Sequence, residues 1–145
     1  LRAAEHDPSI ATAWIWEGVI MYLDDAALRS TLGAIRAASA PGSALIAHYY
    51  EPPEREGFLR RLLRRTVLTW FGEPWIGVRR RAVMHTELDQ AGFQVQSDAD
   101  TDQQAEAVGA PAPEPTHAGV SRVVLASVRP GLARAADGSS TPEPL

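Results

Sequence analysis

The chain has no cysteine in its 145 residues. Disulfides, thiol catalysis and cysteine-ligated zinc are therefore excluded. It also lacks a long apolar run: none reaches the ~18 residues that a membrane-spanning helix needs. No basic stretch followed by an apolar one opens the chain, so no secretory leader is visible and a cytoplasmic setting is expected. Neither sign of charge dominates; a formal net charge of −4 gives no overall attraction to nucleic acid. A G-x-S-x-G elbow and a P-loop are both missing. The four histidines, His6, His48, His85 and His117, never fall at metal-ligand spacing on one helix face, so no metal site is expected. None of the 11 glycines forms a G-x-G-x-x-G run. The first residue is Leu1 and not Met, which reads as a fragment or a reading frame cut at its front.

What is present fits one soluble globular domain with a sizeable core. Apolar residues make up 45% of the chain and charged residues 22%. Thr12–Glu17 ("TAWIWE") reads as a buried strand, short and rich in Trp and Ile without strict polar alternation. Asp24 or Asp25 caps a helix that runs to about Ser39, with Leu28, Leu32 and Ile35 along one stripe. Gly33 weakens that helix slightly, and "APGS" (Ala40–Ser43) stops it. "ALIAHYY" (Ala44–Tyr50) is the next strand. Two apolar strands joined by a helix form a βαβ unit, which implies a parallel sheet covered on both faces.

After Pro52 and Pro53, Glu54–Phe71 reads as an amphipathic helix. Phe58, Leu59, Leu62, Leu63 and Trp70 fall on one side of it, and Arg60, Arg61, Arg64 and Arg65 on the other. "GEPW" (Gly72–Trp75) is a turn. His85–Phe93 reads as a short helix, with Thr86 and Asp89 at capping-box spacing and Gly92 at the position after the C-cap. "FQVQSDAD" and "SRVVLASVRP" are the last strands. Between them lies a Pro/Ala-rich loop over Glu106–Gly119, and from Gly131 onward the composition is that of a disordered tail. The expected division is residues 1–130 as the C-terminal part of a larger domain and 131–145 as tail.

In open α/β sheets, ligands bind just outside the carboxyl ends of the strands. Glu17 and Gly18 stand at the carboxyl end of the first strand. A carboxylate there can accept hydrogen bonds from an amine or hydroxyl, and Gly18 can take a positive φ or let the backbone approach a ligand. The structural alternative is that Glu17 pairs with an internal arginine or caps a loop.

The run "TAWIWEGVIMYL", followed by a helix and "SAPGSALIAHYYEP", resembles the later half of the leucine carboxyl methyltransferase-like family. The matching residues are Thr12, Trp14, Ile15, Glu17, Gly18, Tyr22 and Leu23, then Ser39, Pro41, Gly42 and Ser43. "GEPW" and "LDQAGFQV" resemble the family's closing segments, so the likeness spans about Asp7 to Pro130. Ala11 stands where the family usually has Pro. These are class I S-adenosyl-L-methionine-dependent methyltransferases, and the resemblance implies a Rossmann-like α/β sheet of which this chain holds strands four to seven with their covering helices. The Gly-rich cofactor loop and the acid that holds the adenosine ribose would lie upstream of Leu1.

Within that resemblance Glu17 sits near the methionine end of the cofactor or the acceptor, and Gly18 shapes the same rim. Tyr22 closes it, Tyr49 and Tyr50 line the acceptor side, and Trp75 covers the pocket. For each aromatic residue, simple packing is the alternative. His48 reads as a structural, hydrogen-bonded histidine that could also face the pocket. The resemblance assigns no catalytic residue. A small-molecule methyl acceptor is the implied partner, with O-methyl transfer as the reaction; a protein carboxylate is the lesser choice. The rival from a different class is a catalytically inactive remnant or interaction module. A second rival takes the Arg60–Arg65 helix as a membrane or nucleic-acid binder, against the simpler reading of a solvated arginine face. Without a neighbour, the first strand becomes an exposed edge, so self-association is expected.

Overall fold

The computed structural model describes residues 6–52, 76–111 and 120–129. The elements are β1 (Ala13–Trp16), a 3-10 turn (Ile20–Tyr22), α1 (Asp25–Ala37), β2 (Ala44–Glu51), α2 (Arg81–Gln90), β3 (Phe93–Asp100), α3 (Thr101–Ala107) and β4 (Val120–Val128). They build one four-stranded sheet in the order β1-β2-β4-β3. β1 runs parallel to β2, whereas β4 is antiparallel to both β2 and β3. The last strand in sequence is thus inserted between the second and third. The βαβ unit is present as expected, but the sheet is mixed and not purely parallel.

Local chemistry explains the elements. The Asp24 carboxylate accepts the Ala27 N–H at 2.8 Å and caps α1. Leu28 and Leu32 are fully buried and Ile35 packs against the same core, as their spacing requires. Each fully buried Leu contributes roughly 1.5–3 kcal/mol. "SAPGS" does more than stop the helix. The Ser39 hydroxyl accepts the Trp14 indole N–H at 2.9 Å, and the Ser43 hydroxyl accepts the Thr12 N–H at 3.0 Å. These two serines staple β1 and the residue before it to the segment that joins α1 to β2. α2 is tied to α1 by a bidentate pair in which Arg29 donates to Glu87 at 2.8 and 2.7 Å. Those hydrogen bonds hold the Glu87 carboxyl below its usual range.

Leu45, Ala47 and Tyr49 of β2, with Val124, Ala126 and Val128 of β4, form the buried core with Met84, Leu88 and Phe93. Trp14 and Trp16 join its margin. The opposite face of the sheet stays open among the described residues: Ile15 is 74% exposed, and Ile46 and Leu125 are also exposed. This corrects two expectations. The first strand is not buried but lies at the edge that the lack of a neighbour implied, with β2 beside it and one face uncovered by described elements. The sheet is covered on one side only by described elements.

One helix start also moves, and one helix is added. The helix expected over His85–Phe93 begins a turn earlier, at Arg81, so Thr86 is not a cap. Its hydroxyl instead donates to the Ala82 carbonyl at 2.9 Å, inside the helix. Gly92 does take the left-handed conformation after the C-cap, at φ 86°. α3 was not anticipated, although "DTDQ" carries its signal: Asp100 and Gln103 form a reciprocal capping box. The Glu54–Phe71 helix with its arginine run, Trp75, most of the Pro/Ala-rich loop and the tail lie outside the described residues.

Candidate functional site

The carboxyl ends of the parallel strands define the rim. β1 ends at Trp16, paired with Ala47, so Glu17 emerges beside His48. Glu17 and Gly18 are both exposed. Gly18 has φ 71°, a left-handed conformation that disfavours any side chain, and a Cβ built there meets nothing within 4 Å. The backbone therefore turns sharply in open space, where a ligand can approach. The chain then enters the 3-10 turn, whose Ile20 and Met21 anchor it while Tyr22 remains 39% exposed.

His48 and Tyr50 share the open face with Glu17. Their rings meet edge to face at 4.9 Å. One nitrogen of His48 lies 2.9 Å from the Ser121 hydroxyl, and the buried Nδ1 has no partner among the described residues. Burial pushes the His48 imidazole below its usual range, and the Glu17 carboxylate opposes that effect. Glu17 is thus electrostatically in touch with the histidine next to it.

Tyr49 does not join them. Successive strand residues point to opposite faces, so Tyr49 and Tyr50 cannot line one pocket together. Tyr49 is fully enclosed, and its hydroxyl donates to Asp98 at 2.7 Å. Asp98 also takes a 2.6 Å hydrogen bond from His85 and a 2.8 Å ion pair from the Arg122 Nε. Burial alone raises the Asp98 carboxyl. Hydrogen bonds from Tyr49, His85 and Arg122 outweigh it and leave Asp98 below its usual range. Burial, then the bond to Asp98, pushes the Tyr49 phenol far above its usual range. Tyr49 is thus part of a buried polar network one residue inside the rim.

A β-bulge creates this network. The register runs Val95 to Ala126 and then Ser97 to Leu125, which leaves Gln96 as the extra residue. Unbroken alternation from Phe93 and Val95 would aim Ser97 and Ala99 at the core. The bulge shifts the parity, so Asp98 points inward instead. Arg122 was readable in principle, because period-two spacing from Val124, Ala126 and Val128 puts it on the core face. Elsewhere, a hollow of about 360 Å³ between α2 and β3 is lined by His85, Thr86, Asp89, Phe93, Gln94 and Val95. It holds none of the rim residues. No group of three or more acidic or histidine side chains among the described residues could hold a metal ion. Among the same residues, no helix is long and apolar enough to cross a membrane.

Residues 1–36 match the leucine carboxyl methyltransferase family. The matched segment contains Glu17, Gly18 and Tyr22 and ends before Ser39–Ser43. A Streptomyces avermitilis protein assigned by name to the S-adenosyl-L-methionine-dependent methyltransferases is 44% identical over 45 residues, 31% of this chain and 16% of that one. Among solved structures, a mitomycin 7-O-methyltransferase aligns with a TM-score of 0.54 at 20% identity, over 86% of this chain and 31% of its own. Human N-acetylserotonin methyltransferase, in complex with S-adenosylmethionine, gives 0.51 at 17% identity, over 81% and 29%. A Burkholderia thailandensis 1,6-didemethyltoxoflavin N1-methyltransferase with bound S-adenosylhomocysteine gives 0.55 at 12% identity, over 81% and 43%. The fold of the described residues is that of class I methyltransferases. The chain spans less than half the length of each of these relatives.

Proposed function

We propose that this chain is the C-terminal part of an S-adenosyl-L-methionine-dependent methyltransferase that acts on an oxygen of a small molecule. The observation that carries the reading is the rim after β1. An exposed carboxylate, Glu17, is followed by Gly18 at φ 71° in open space, inside the segment that matches the methyltransferase family. The residue types fit the cofactor: a carboxylate suits its amino group, and a left-handed glycine leaves room for close approach. Glu17 and Gly18 would hold the methionine portion, with Tyr22 and Tyr50 toward the acceptor. S-adenosyl-L-methionine supplies a methyl group on a sulfonium. The residues' task is to align that group with the acceptor, since orientation provides most of the acceleration in such transfers. An acceptor hydroxyl would need a base, for which His48, beside Glu17 and shifted below its usual range by burial, is a candidate. The similar structures are named for both oxygen and nitrogen acceptors, so the oxygen assignment rests on the family resemblance.

The alternative reading is a non-catalytic remnant or interaction module that shares the fold without cofactor affinity. Calorimetric titration of S-adenosylmethionine into the longest polypeptide the gene encodes separates the two. Binding that weakens by about tenfold or more in Glu17→Gln supports the methyltransferase. Absence of binding supports the remnant.

A further inference from the structure

Arg79 lies two residues before α2 and is 6% exposed. A buried guanidinium is costly unless its N–H groups are used. Here they converge on the rim. Nη2 donates to the Leu23 carbonyl at 2.8 Å and to Asp25 at 3.0 Å, and Nε reaches Asp25 at 3.2 Å. Nη1 donates to the Gly77 carbonyl at 2.8 Å, with the Ile20 carbonyl at the outer limit of 3.5 Å. The Arg79 backbone N–H donates to the Tyr50 carbonyl at 3.0 Å. One residue thus joins the end of β2 to the turn after β1.

Gly77 is an independent second half of the same device. Its N–H donates to the Met21 carbonyl at 2.8 Å. A Cβ at this position would stand 2.2 Å from the Ile20 carbonyl oxygen and 2.6 Å from that of Leu23. Nothing larger than glycine fits without displacing the turn. The carbonyls of Ile20, Met21 and Leu23 are therefore all met by residues 77–79. Lysine could not reproduce this, because an ammonium offers its donors from one point and not from a planar fork.

We infer that Arg79, with Gly77, is a positioning residue of the rim: a clasp that fixes the Ile20–Leu23 turn against β2 and so sets the wall that follows Glu17 and Gly18. Its functional consequence rests on the reading of that rim as the cofactor side. The clasp itself is a matter of structure and is tested without activity. Hydrogen–deuterium exchange of the full chain compares wild type, Arg79→Lys and Arg79→Gln on peptides covering residues 19–25 and 44–51. The Tyr22 and Leu23 amides, bonded to the Val19 and Ile20 carbonyls, should exchange about tenfold faster or more in Arg79→Gln, with β2 unchanged. Arg79→Lys should show a smaller effect in the same peptide, and it decides the matter alone if the glutamine variant does not fold. Unchanged exchange in the turn overturns the clasp, and so does an increase shared equally by β2, which would make Arg79 a general stability residue. In the longest polypeptide that the gene encodes, S-adenosylmethionine should bind Arg79→Lys several-fold more weakly than wild type; equal affinity overturns the positioning role. If wild type fails to bind, the cofactor reading of the rim is refuted, and exchange still judges the clasp.

Discussion

Removing the Asp98 carboxylate should be among the most damaging single changes in the described core. Its side chain is fully enclosed, and it satisfies three donors: the Tyr49 hydroxyl at 2.7 Å, a His85 nitrogen at 2.6 Å and the Arg122 Nε at 2.8 Å. In Asp98→Ala the Arg122 guanidinium, 7% exposed, keeps only longer ion pairs to Glu51 at 3.5 Å and Asp100 at 3.8 Å. It also keeps the Asp98 carbonyl at 3.2 Å. Breaking one side of a buried pair typically costs 3–5 kcal/mol, and the surviving partners put the expected loss near the lower end, about 3 kcal/mol. That is a large share of the roughly 5–15 kcal/mol of a typical domain. Tyr49→Phe removes one donor and leaves the ion pair intact, so it should cost about 1.5 kcal/mol. The double variant Asp98→Ala/Arg122→Met should cost less than its two single changes added, because it leaves no unpaired charge. Urea titrations followed by tryptophan fluorescence give all four values. A loss under about 1 kcal/mol for Asp98→Ala, or a strictly additive double variant, would show that Asp98 does not hold the buried Arg122 charge.

The other expectations concern the rim and the edge. Gly18→Ala should destabilise by about 1 kcal/mol through backbone strain alone, since φ is 71° and the surrounding space is open; a neutral result in thermal unfolding would contradict the turn geometry. Stability should respond to pH in two windows. His48 is held below its ordinary 6.5, so the unfolded chain takes up its proton first, and stability should decline as pH falls below that value. Asp98 is held below its ordinary 3.8, so its contribution is complete above that value and is lost as pH falls further. A melting-temperature profile for His48→Gln should be flatter than wild type from about pH 7 to 5; parallel profiles would count against it. Ile15→Lys, at a 74% exposed edge position, should reduce self-association in light scattering while changing stability by no more than about 0.5 kcal/mol.

Sequence reasoning reached the elements whose signal is local. Asp24 as a cap, the Leu28–Leu32 stripe, the βαβ start and the left-handed glycines all follow from residue type and short spacing. The carboxyl-end rule alone placed Glu17 and Gly18 on the rim. What sequence reasoning missed is non-local or depends on parity. One extra residue, Gln96, moves Asp98 from the open face to the core, and no composition signal marks it. The separation of Tyr49 from Tyr50 was legible, because a two-residue period forbids a shared face. The contacts of Arg79 with the rim bridge 54 residues or more from Leu23, Asp25 and Ile20, which no local pattern can show. The apolar content of β1 reads as burial, and its place at the sheet edge follows only from the lack of a neighbour beyond it among the described residues.

We propose that the turn after β1 forms the cofactor side of a methyltransferase rim. The most direct measurement is amide chemical-shift mapping of S-adenosylhomocysteine binding to the longest polypeptide that the gene encodes. The largest changes within this segment should fall on Glu17, Gly18 and Val19, with β3 and α3 undisturbed. Saturable binding that leaves the Gly18 amide unmoved, or no binding at any accessible concentration, would contradict it.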